Sequence, residues 1–291
     1  MKKFDYFAPG SVKEAVTLLR ERGPEGKVLA GGTDLIVQIR ENMKGIAPSY
    51  LVSLKNLAEL RGLEYDVDKG LKIGALTTLR TLIESPVVQE QYPILAQAAD
   101  VIGSVQIQNV ATVGGNLCNA APSADMAPPL ITLGAEVTIV GPDGERTLLL
   151  EDFFTGPGQT VLAPDQILTE IHVPPPLAHS GGAYMRHTTR QRMDIAVVGV
   201  GSFVILDEAG ACQDLRIALG AVAPTPIRAK KTEAVLRGQT PEDNLIEEAA
   251  RVASEECRPI SDVRGSAEFR RHLVGVLTKR TLGAALAAAG S

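Results

Sequence analysis

The sequence predicts an α+β protein in two parts, and three observations carry that reading. Up to residue 173, short β-prone segments alternate with segments of helical periodicity. Pro174-Pro175-Pro176, with Gly181-Gly182 close behind, then interrupts the pattern and marks a boundary between residues 1–176 and 182–291. Beyond it a β-hairpin comes first and three helical stretches follow, the order of antiparallel strands with segregated helices.

The elements follow in chain order. Ser11-Val12-Lys13-Glu14 reads as a capping box. Ala15, Val16, Leu18 and Leu19 give the helix an apolar face, and Gly23 ends it. Lys27–Ala30 is a short strand running into Gly31-Gly32. Leu35, Ile39 and Met43 lie four apart and predict a helix over 35–43. Tyr50–Leu54 and Gly70–Ile73 are strands; Thr77–Glu84 and Pro93–Val101 are helices. A second glycine pair, Gly114-Gly115, reads as a turn. The small-residue bend 120–125 leads to a short helix over Met126–Leu133. Gly141-Pro142-Asp143-Gly144 joins strands Glu136–Val140 and Arg146–Leu150 as a hairpin. Ile167–Val173 is another strand. In the second part, Ile195–Leu206 and Gln213–Ala223 flank Asp207-Glu208-Ala209-Gly210. Thr240-Pro241-Glu242-Asp243 predicts a helix with Thr240 as N-cap and proline at its first position. The last helix, 266–289, places Phe269, Leu273, Val276 and Leu277 on one face.

Composition sets bounds. The chain has 291 residues, 45% hydrophobic and 22% charged, with a formal charge of −5, which suits a globular protein with two cores. No basic stripe interleaved with aromatics is present, so nucleic acid is not an expected partner. The start has two lysines but no apolar run behind them, so no signal peptide is expected. The longest apolar run, near Ala196–Leu206, is well short of the ~18 residues of a membrane span. The three cysteines, Cys118, Cys212 and Cys257, form no C-x-x-C pair. They read as reduced thiols of a cytoplasmic protein, and no metal site is expected in this chain.

Three segments carry candidate chemistry. Ala30-Gly31-Gly32-Thr33-Asp34-Leu35 links a strand to a helix, so its main-chain N–H groups can converge on an anion. Thr112-Val113-Gly114-Gly115-Asn116 repeats the glycine pair between two side chains able to donate to phosphate oxygens. Neither is a G-x-G-x-x-G, so the Rossmann fingerprint is absent. Asp125, nine residues past Asn116, either accepts from a sugar hydroxyl or caps the helix at Met126. Tyr184-Met185-Arg186-His187-Thr188-Thr189-Arg190-Gln191-Arg192 opens the second part; its three arginines fit an anionic cofactor, a partner subunit or a solvated charged strand. No nucleophile–base constellation occurs, and His172, His179, His187 and His272 lack metal spacing. A bound cofactor, with no catalytic side chain in this chain, is the chemistry this leaves.

With these segments in hand, the chain resembles the FAD-binding medium subunits of molybdenum hydroxylases, a group that includes the carbon monoxide dehydrogenase medium chain and the FAD module of xanthine dehydrogenase. Residues 27–35 resemble the family's first FAD segment, and 111–116 with Pro122 and Ser123-Ala124-Asp125 resemble the second. Residues 184–196 resemble the opening of its C-terminal domain, and 266–273 its last helix. The resemblance implies a two-part FAD-binding domain of the vanillyl-alcohol-oxidase/MurB (PCMH) type, split into about 1–55 and 56–176. A small domain with a three-stranded antiparallel sheet and helices follows. It implies noncovalent FAD, with the pyrophosphate held by the main chain of Val28, Leu29, Ala30, Gly31, Gly32, Thr33, Asp34 and Leu35 and of Thr112, Val113, Gly114, Gly115 and Asn116. Asp125 binds a hydroxyl of the FAD. Ile102, at a position where xanthine enzymes carry an aromatic, Leu162, and Arg186, where a lysine is common, match further FAD-contacting positions, and Tyr184 lies near the isoalloxazine.

The resemblance also implies partners: a small [2Fe–2S] subunit and a large molybdopterin subunit, assembled as a dimer of heterotrimers, with electrons passing from the iron–sulfur subunit through FAD to an external acceptor. Two other readings compete. A stand-alone MurB-like flavin oxidoreductase needs a proton donor beside the flavin, and the sequence nominates none. A partner-binding module that has lost its cofactor is disfavoured by the intact glycine pairs.

Overall fold

The structure, a computed structural model, describes residues 3–290, with the side chain of Lys44 outside the description. The first strands are β1 (Asp5–Phe7), β2 (Gly26–Leu29) and β3 (Tyr50–Ser53), which form a parallel sheet in the order β1-β3-β2. Two helices connect them, α1 (Val12–Arg22) and α2 (Leu35–Arg40). The Ser11 hydroxyl caps α1 by accepting from the Glu14 N–H at 3.2 Å. The reciprocal arm of the box is displaced by one residue, because the Glu14 carboxylate accepts from Gly10 N–H at 2.7 Å. Gly23 ends α1 in a left-handed turn at φ 79°. α2 is shorter than its periodicity suggests. Asn42 adopts φ 50° and a single 3₁₀ turn, Met43–Gly45, replaces the rest.

The middle of the chain adds β4 (Leu63–Asp66) and β5 (Gly70–Gly74), then α3 (Leu79–Glu84), α4 (Pro86–Gln91), α5 (Pro93–Asp100), α6 (Val105–Gln108), α7 (Val113–Asn119) and α8 (Ala127–Thr132). Strands β6 (Glu136–Gly141), β7 (Gly144–Leu149), β8 (Phe154–Gly156), β9 (Gln159–Thr160) and β10 (Ile167–Val173) follow. An antiparallel sheet runs β4-β5-β10-β6-β7, with the 141–144 hairpin closed by Gly141 opposite Gly144. The helices bury one face of this sheet in the main apolar core, which includes Leu71, Ile73, Leu95, Val113, Leu130 and Ile171. β4, α4 and α6 carry no strong periodic signal: β4 is mostly exposed and α6 has four residues.

The last part contains β11 (Ser180–His187), β12 (Val198–Leu206), β13 (Cys212–Gly220) and β14 (Ile227–Arg228), then α9 (Lys230–Leu236), α10 (Asp243–Glu256) and α11 (Ala267–Ala289). Its antiparallel sheet has four strands instead of three. The two-residue β14 pairs with β13 at Ala218–Arg228 and Leu219–Ile227 and is too short to leave an alternating pattern. α10 begins at Asp243, and Glu242, not Thr240, stands at its N-cap. The buried stripe of α11 runs through Arg270, Val274, Leu277, Thr278, Leu282 and Ala285. Phe269 lies off that stripe with its ring against His187. Leu277 of the expected face is buried and Leu273 packs against the same core, whereas at the start of the helix Arg270, which gives no apolar signal, turns inward in place of Phe269.

The two parts share packing. α5 and α8 lie against β11, β12 and β13, and the Tyr184 N–H on the edge of β11 donates to Gln97 Oε1 of α5 at 3.1 Å. On another side, Glu151 accepts from Arg228 and Lys230, both at 3.2 Å. Among the described residues no helix is long and apolar enough to cross a membrane.

Candidate functional site: an amide loop and a buried ionic cluster

The first glycine segment is a loop between β2 and α2. Val28, Leu29 and Ala30 send their side chains into apolar packing, as does Leu35, so their offering to a ligand is main chain. Gly32 is left-handed at φ 79°, a conformation glycine adopts without a Cβ penalty. Gly31 is needed for a different reason. A Cβ there would sit 2.2 Å from the Val110 carbonyl oxygen, so the loop lies directly on the chain entering α7. The Ile36 and Gln38 amides bond back to Gly32 and Asp34 carbonyls. Among the described residues, the amides of Gly31, Gly32, Thr33, Asp34 and Leu35 have no protein acceptor. Five consecutive N–H groups at a half-exposed loop form a ready anion cradle.

The second glycine segment is not a turn. Gly114 and Gly115 lie in the first turn of α7, and Thr112 is its N-cap, with Oγ1 accepting from Gly115 N–H at 3.0 Å. The other early amides are also engaged: Val113 with Thr77 O at 3.0 Å, Gly114 with Ala75 O at 2.9 Å, and Asn116 with Thr112 O at 3.0 Å. Thr112 is buried. Four of the five amides expected to hold the pyrophosphate, those of 113–116, thus have acceptors within the protein, and the Thr112 hydroxyl caps the helix. Gly114 is there for packing, since a Cβ would meet the Ala75 Cβ and carbonyl oxygen at 2.7 Å. A helix start capped by threonine and a phosphate-binding turn look alike in sequence; the acceptors that distinguish them lie some forty residues away.

α7 nevertheless stands beside the cradle. Gln38 Nε2 of α2 donates to Asn119 Oδ1 at 3.1 Å, and a Cβ on Gly115 would lie 3.8 Å from Ala30 Cβ. Asn116 Oδ1 accepts from Met126 N–H at 3.4 Å, which ties α7 to the bend carrying Asp125. Its Nδ2 group has no protein partner among the described residues.

Asp125 does not cap α8. Its Oδ1 accepts from the Tyr184 hydroxyl at 2.7 Å and its Oδ2 from Arg186 Nη1 at 2.7 Å. Arg186 Nη2 also donates to Val101 O at 2.5 Å, next to Ile102. Residues that the sequence places about sixty positions apart thus meet where β11 packs on the helical layer. The pair is almost wholly buried, with side chains 5% and 8% exposed. Burial pushes the Asp125 carboxyl up from its ordinary value, against the pull of Arg186 and the Tyr184 hydrogen bond. Burial, then the adjacent carboxylate, raises the Tyr184 phenol well above its usual range, so it stays a donor. Two acceptor positions of Asp125 are used by protein, and a carboxylate has about four, which leaves capacity for a ligand hydroxyl.

Leu162 packs against the main core, and its N–H donates to Thr160 Oγ1 at 3.3 Å. The turn before it reaches α7, where Gly158 N–H bonds the Ala120 carbonyl at 2.9 Å. The remaining arginines of the 184–192 segment are surface groups: Arg190 pairs with Asp194, and Arg192 with Asp100 at 2.9 Å. Among the described residues no cluster of His, Cys, Asp and Glu is placed to hold a metal. A cavity of about 860 Å³ lies elsewhere, between α1 and the β6–β7 hairpin.

Two residues near this site gave no sequence signal. Gln97 is an ordinary polar helix residue until β11 docks on it. Gln108 is 1% exposed and donates from Nε2 to the carbonyls of Asp100 at 2.9 Å and Ile102 at 3.1 Å.

Comparison with known proteins places this geometry. Residues 2–176 match the family described as the FAD binding domain in molybdopterin dehydrogenase, and residues 183–285 match the CO dehydrogenase flavoprotein C-terminal domain. The xanthine dehydrogenase FAD-binding subunit of Escherichia coli O157:H7 is 38% identical over 286 residues, covering 98% of this chain and 97% of that protein. The carbon monoxide dehydrogenase medium chain of Hydrogenophaga pseudoflava is 35% identical over 286 residues, covering 98% of each. The solved structure of carbon monoxide dehydrogenase from that organism, in a form lacking the Mo-pyranopterin moiety, superposes with a TM-score of 0.94 over 99% of this chain and 98% of that one, at 35% identity. An anion cradle, a buried acceptor and end-to-end likeness to such subunits agree: the chain belongs to the family of FAD-binding subunits of molybdenum-containing dehydrogenases.

Proposed function

We propose that this chain is the FAD-carrying electron-transfer subunit of a heterotrimeric molybdenum hydroxylase. In this reading it takes electrons from a small [2Fe–2S] subunit and releases them to an external acceptor, while a large molybdopterin subunit oxidises the substrate. The assembly is a dimer of such heterotrimers in the cytoplasm. The observation that supports the reading best is the run of five consecutive amides, Gly31 to Leu35, that have no protein acceptor among the described residues.

The roles divide as follows. Residues 1–176 hold the cofactor, with 1–55 supplying the cradle and 56–176 the wall beside it, and residues 182–291 close the site through β11. The Gly31–Leu35 amides bind the pyrophosphate. Asn116 donates from Nδ2, and Asp125, held in place by Arg186, accepts from a hydroxyl of the FAD. Tyr184, Ile102 and Leu162 shield the ring system from water. FAD, when bound, supplies one- and two-electron redox chemistry. No side chain here acts as nucleophile or proton donor in substrate oxidation.

The test is the native protein. Purified from its source, it should carry one noncovalent FAD per chain and co-elute with iron–sulfur and molybdenum-containing partners. Isolation as a flavin-free monomer without those partners, or turnover of a small organic substrate by the chain alone, would overturn the reading.

A further inference from the structure

The carbonyls of Asp100, Val101 and Ile102, between α5 and α6, are each taken by a side chain. Gln108 Nε2 holds the first and third, at 2.9 and 3.1 Å. Arg186 Nη2 holds the second at 2.5 Å, and Arg192 adds a further bond to Asp100 O. The orientation of the Gln108 amide is fixed by chemistry, since the flipped amide would set its oxygen against two carbonyls. That orientation has a cost. Gln108 Oε1 is buried with no hydrogen-bond donor, one of the few such atoms among the described residues. A buried glutamine that leaves its own acceptor unsatisfied in order to hold two carbonyls exerts a specific constraint on those carbonyls.

Gln108 also sits at a junction. Three residues on, the chain at Val110–Ala111 carries Gly31 and the cradle, and Thr112 caps α7. Seven residues back, Val101 O receives Arg186, which holds Asp125.

We infer that Gln108 is a positioning residue for the flavin end of the site: its amide sets the 100–102 loop so that Ile102 faces the ring system and Val101 O orients Arg186 on Asp125. The inference rests on the FAD reading above. Gln108 touches no ligand in this role; it acts through the loop and through Arg186.

The experiment compares FAD with ADP on the full chain, for wild type and for Gln108→Met, which fills similar space without donors. ADP reaches only the phosphate cradle, so a positioning role at the ring end separates the two ligands. FAD should bind about tenfold more weakly to the variant and ADP within about twofold of wild type. The visible circular dichroism of the bound flavin should change. Equal weakening of both ligands, or unchanged affinity and dichroism, overturns the inference. Where Gln108→Met does not fold, Gln108→Asn, too short to span both carbonyls, is read in the same way. A wild-type chain that binds neither ligand removes the FAD reading itself, an outcome separate from a wild type that binds and a variant that matches it.

Discussion

The two glycine pairs share a sequence and differ in what the fold has already done with their amides. Around Gly31-Gly32 five consecutive N–H groups have no protein acceptor among the described residues. Around Gly114-Gly115 every early amide of α7 is bonded, to Thr77, Ala75 or Thr112. The contrast extends through the site. The amides of 113–116 and the Asp125–Tyr184–Arg186 contacts are bonded within the protein, whereas the 31–35 amides are left open. Substitutions in the protein-bonded half should therefore lower the stability of the flavin-free chain, and those in the open half should act on cofactor affinity. A dipeptide motif reports backbone permissiveness and says nothing about which acceptors the tertiary fold brings to it.

The largest effect is expected in the bonded half, at Arg186→Met. It strands a buried carboxylate and should destabilise the flavin-free protein by about 3–5 kcal/mol. The pH dependence gives the cause. Burial already raises Asp125 above its ordinary 3.8, and loss of Arg186 removes the chief opposing pull. A carboxyl raised in the folded state contributes stability that is present below its unfolded pKa and is lost as pH rises through the folded value. The deficit of the variant should thus grow with pH above 3.8 and shrink on acidification. Urea unfolding at about pH 5 and about pH 8 reads it. A deficit equal at both would mean that the carboxylate is not what the arginine supports, and Asp125→Asn added to Arg186→Met should then recover nothing.

Next comes Gly114→Val. Its side chain enters space within 2.7 Å of Ala75, and the cost should be about 3 kcal/mol in the flavin-free chain, by overpacking. The sharp point is where the loss appears. Thermal unfolding without FAD should already show a midpoint lowered by roughly 6–12 °C. A variant that unfolds like wild type and merely fails to retain flavin would place the second pair back among the phosphate ligands and erase the contrast.

How far the site was legible follows the same division. The order strand–glycine pair–helix at 27–40, the two hairpins and the end of β10 before Pro174 were readable because turn chemistry and capping act within a few residues. The cluster members Asp125, Tyr184 and Arg186 were each singled out, but their contact was not, because it depends on β11 docking beside α5. The state of the 112–116 amides and the part played by Gln108 had no local signature; both are set by carbonyls from other segments. On α11 the inward positions Leu273 and Leu277 were readable and Arg270 was not, because its burial rests on Nη1 donating to Val197 O at 2.8 Å and to Ala221 O at 3.1 Å. Arginine in an apolar stripe reads as surface until those carbonyls are known.

In the open half, Gly32→Ala is the diagnostic change. At φ 79° a Cβ costs about 1–2 kcal/mol. Because no protein acceptor holds the neighbouring amides, the loop can relax and recover part of that. The flavin-free chain should lose at most about 1 kcal/mol, while the displaced N–H groups weaken FAD binding about tenfold. Titration calorimetry alongside thermal unfolding separates the two. Unchanged affinity with the full stability loss would show that the loop amides hold nothing.

The smallest effect isolates the cap. Thr112→Ala removes the acceptor for Gly115 N–H and, with it, about 1 kcal/mol of stability. It also frees one N–H at the start of α7, close to Ala30 and the cradle. If the second pair owes its closed state to the cap alone, the freed amide becomes available to an anion, and FAD binding should hold steady or tighten even as the protein melts a few degrees lower. If FAD binding weakens in step with stability, α7 acts as a rigid support for the cradle, and its amides are closed by the whole of its packing, not by one hydroxyl. The bonds from Val113 to Thr77 and from Gly114 to Ala75 survive the substitution, so the second outcome is the one expected.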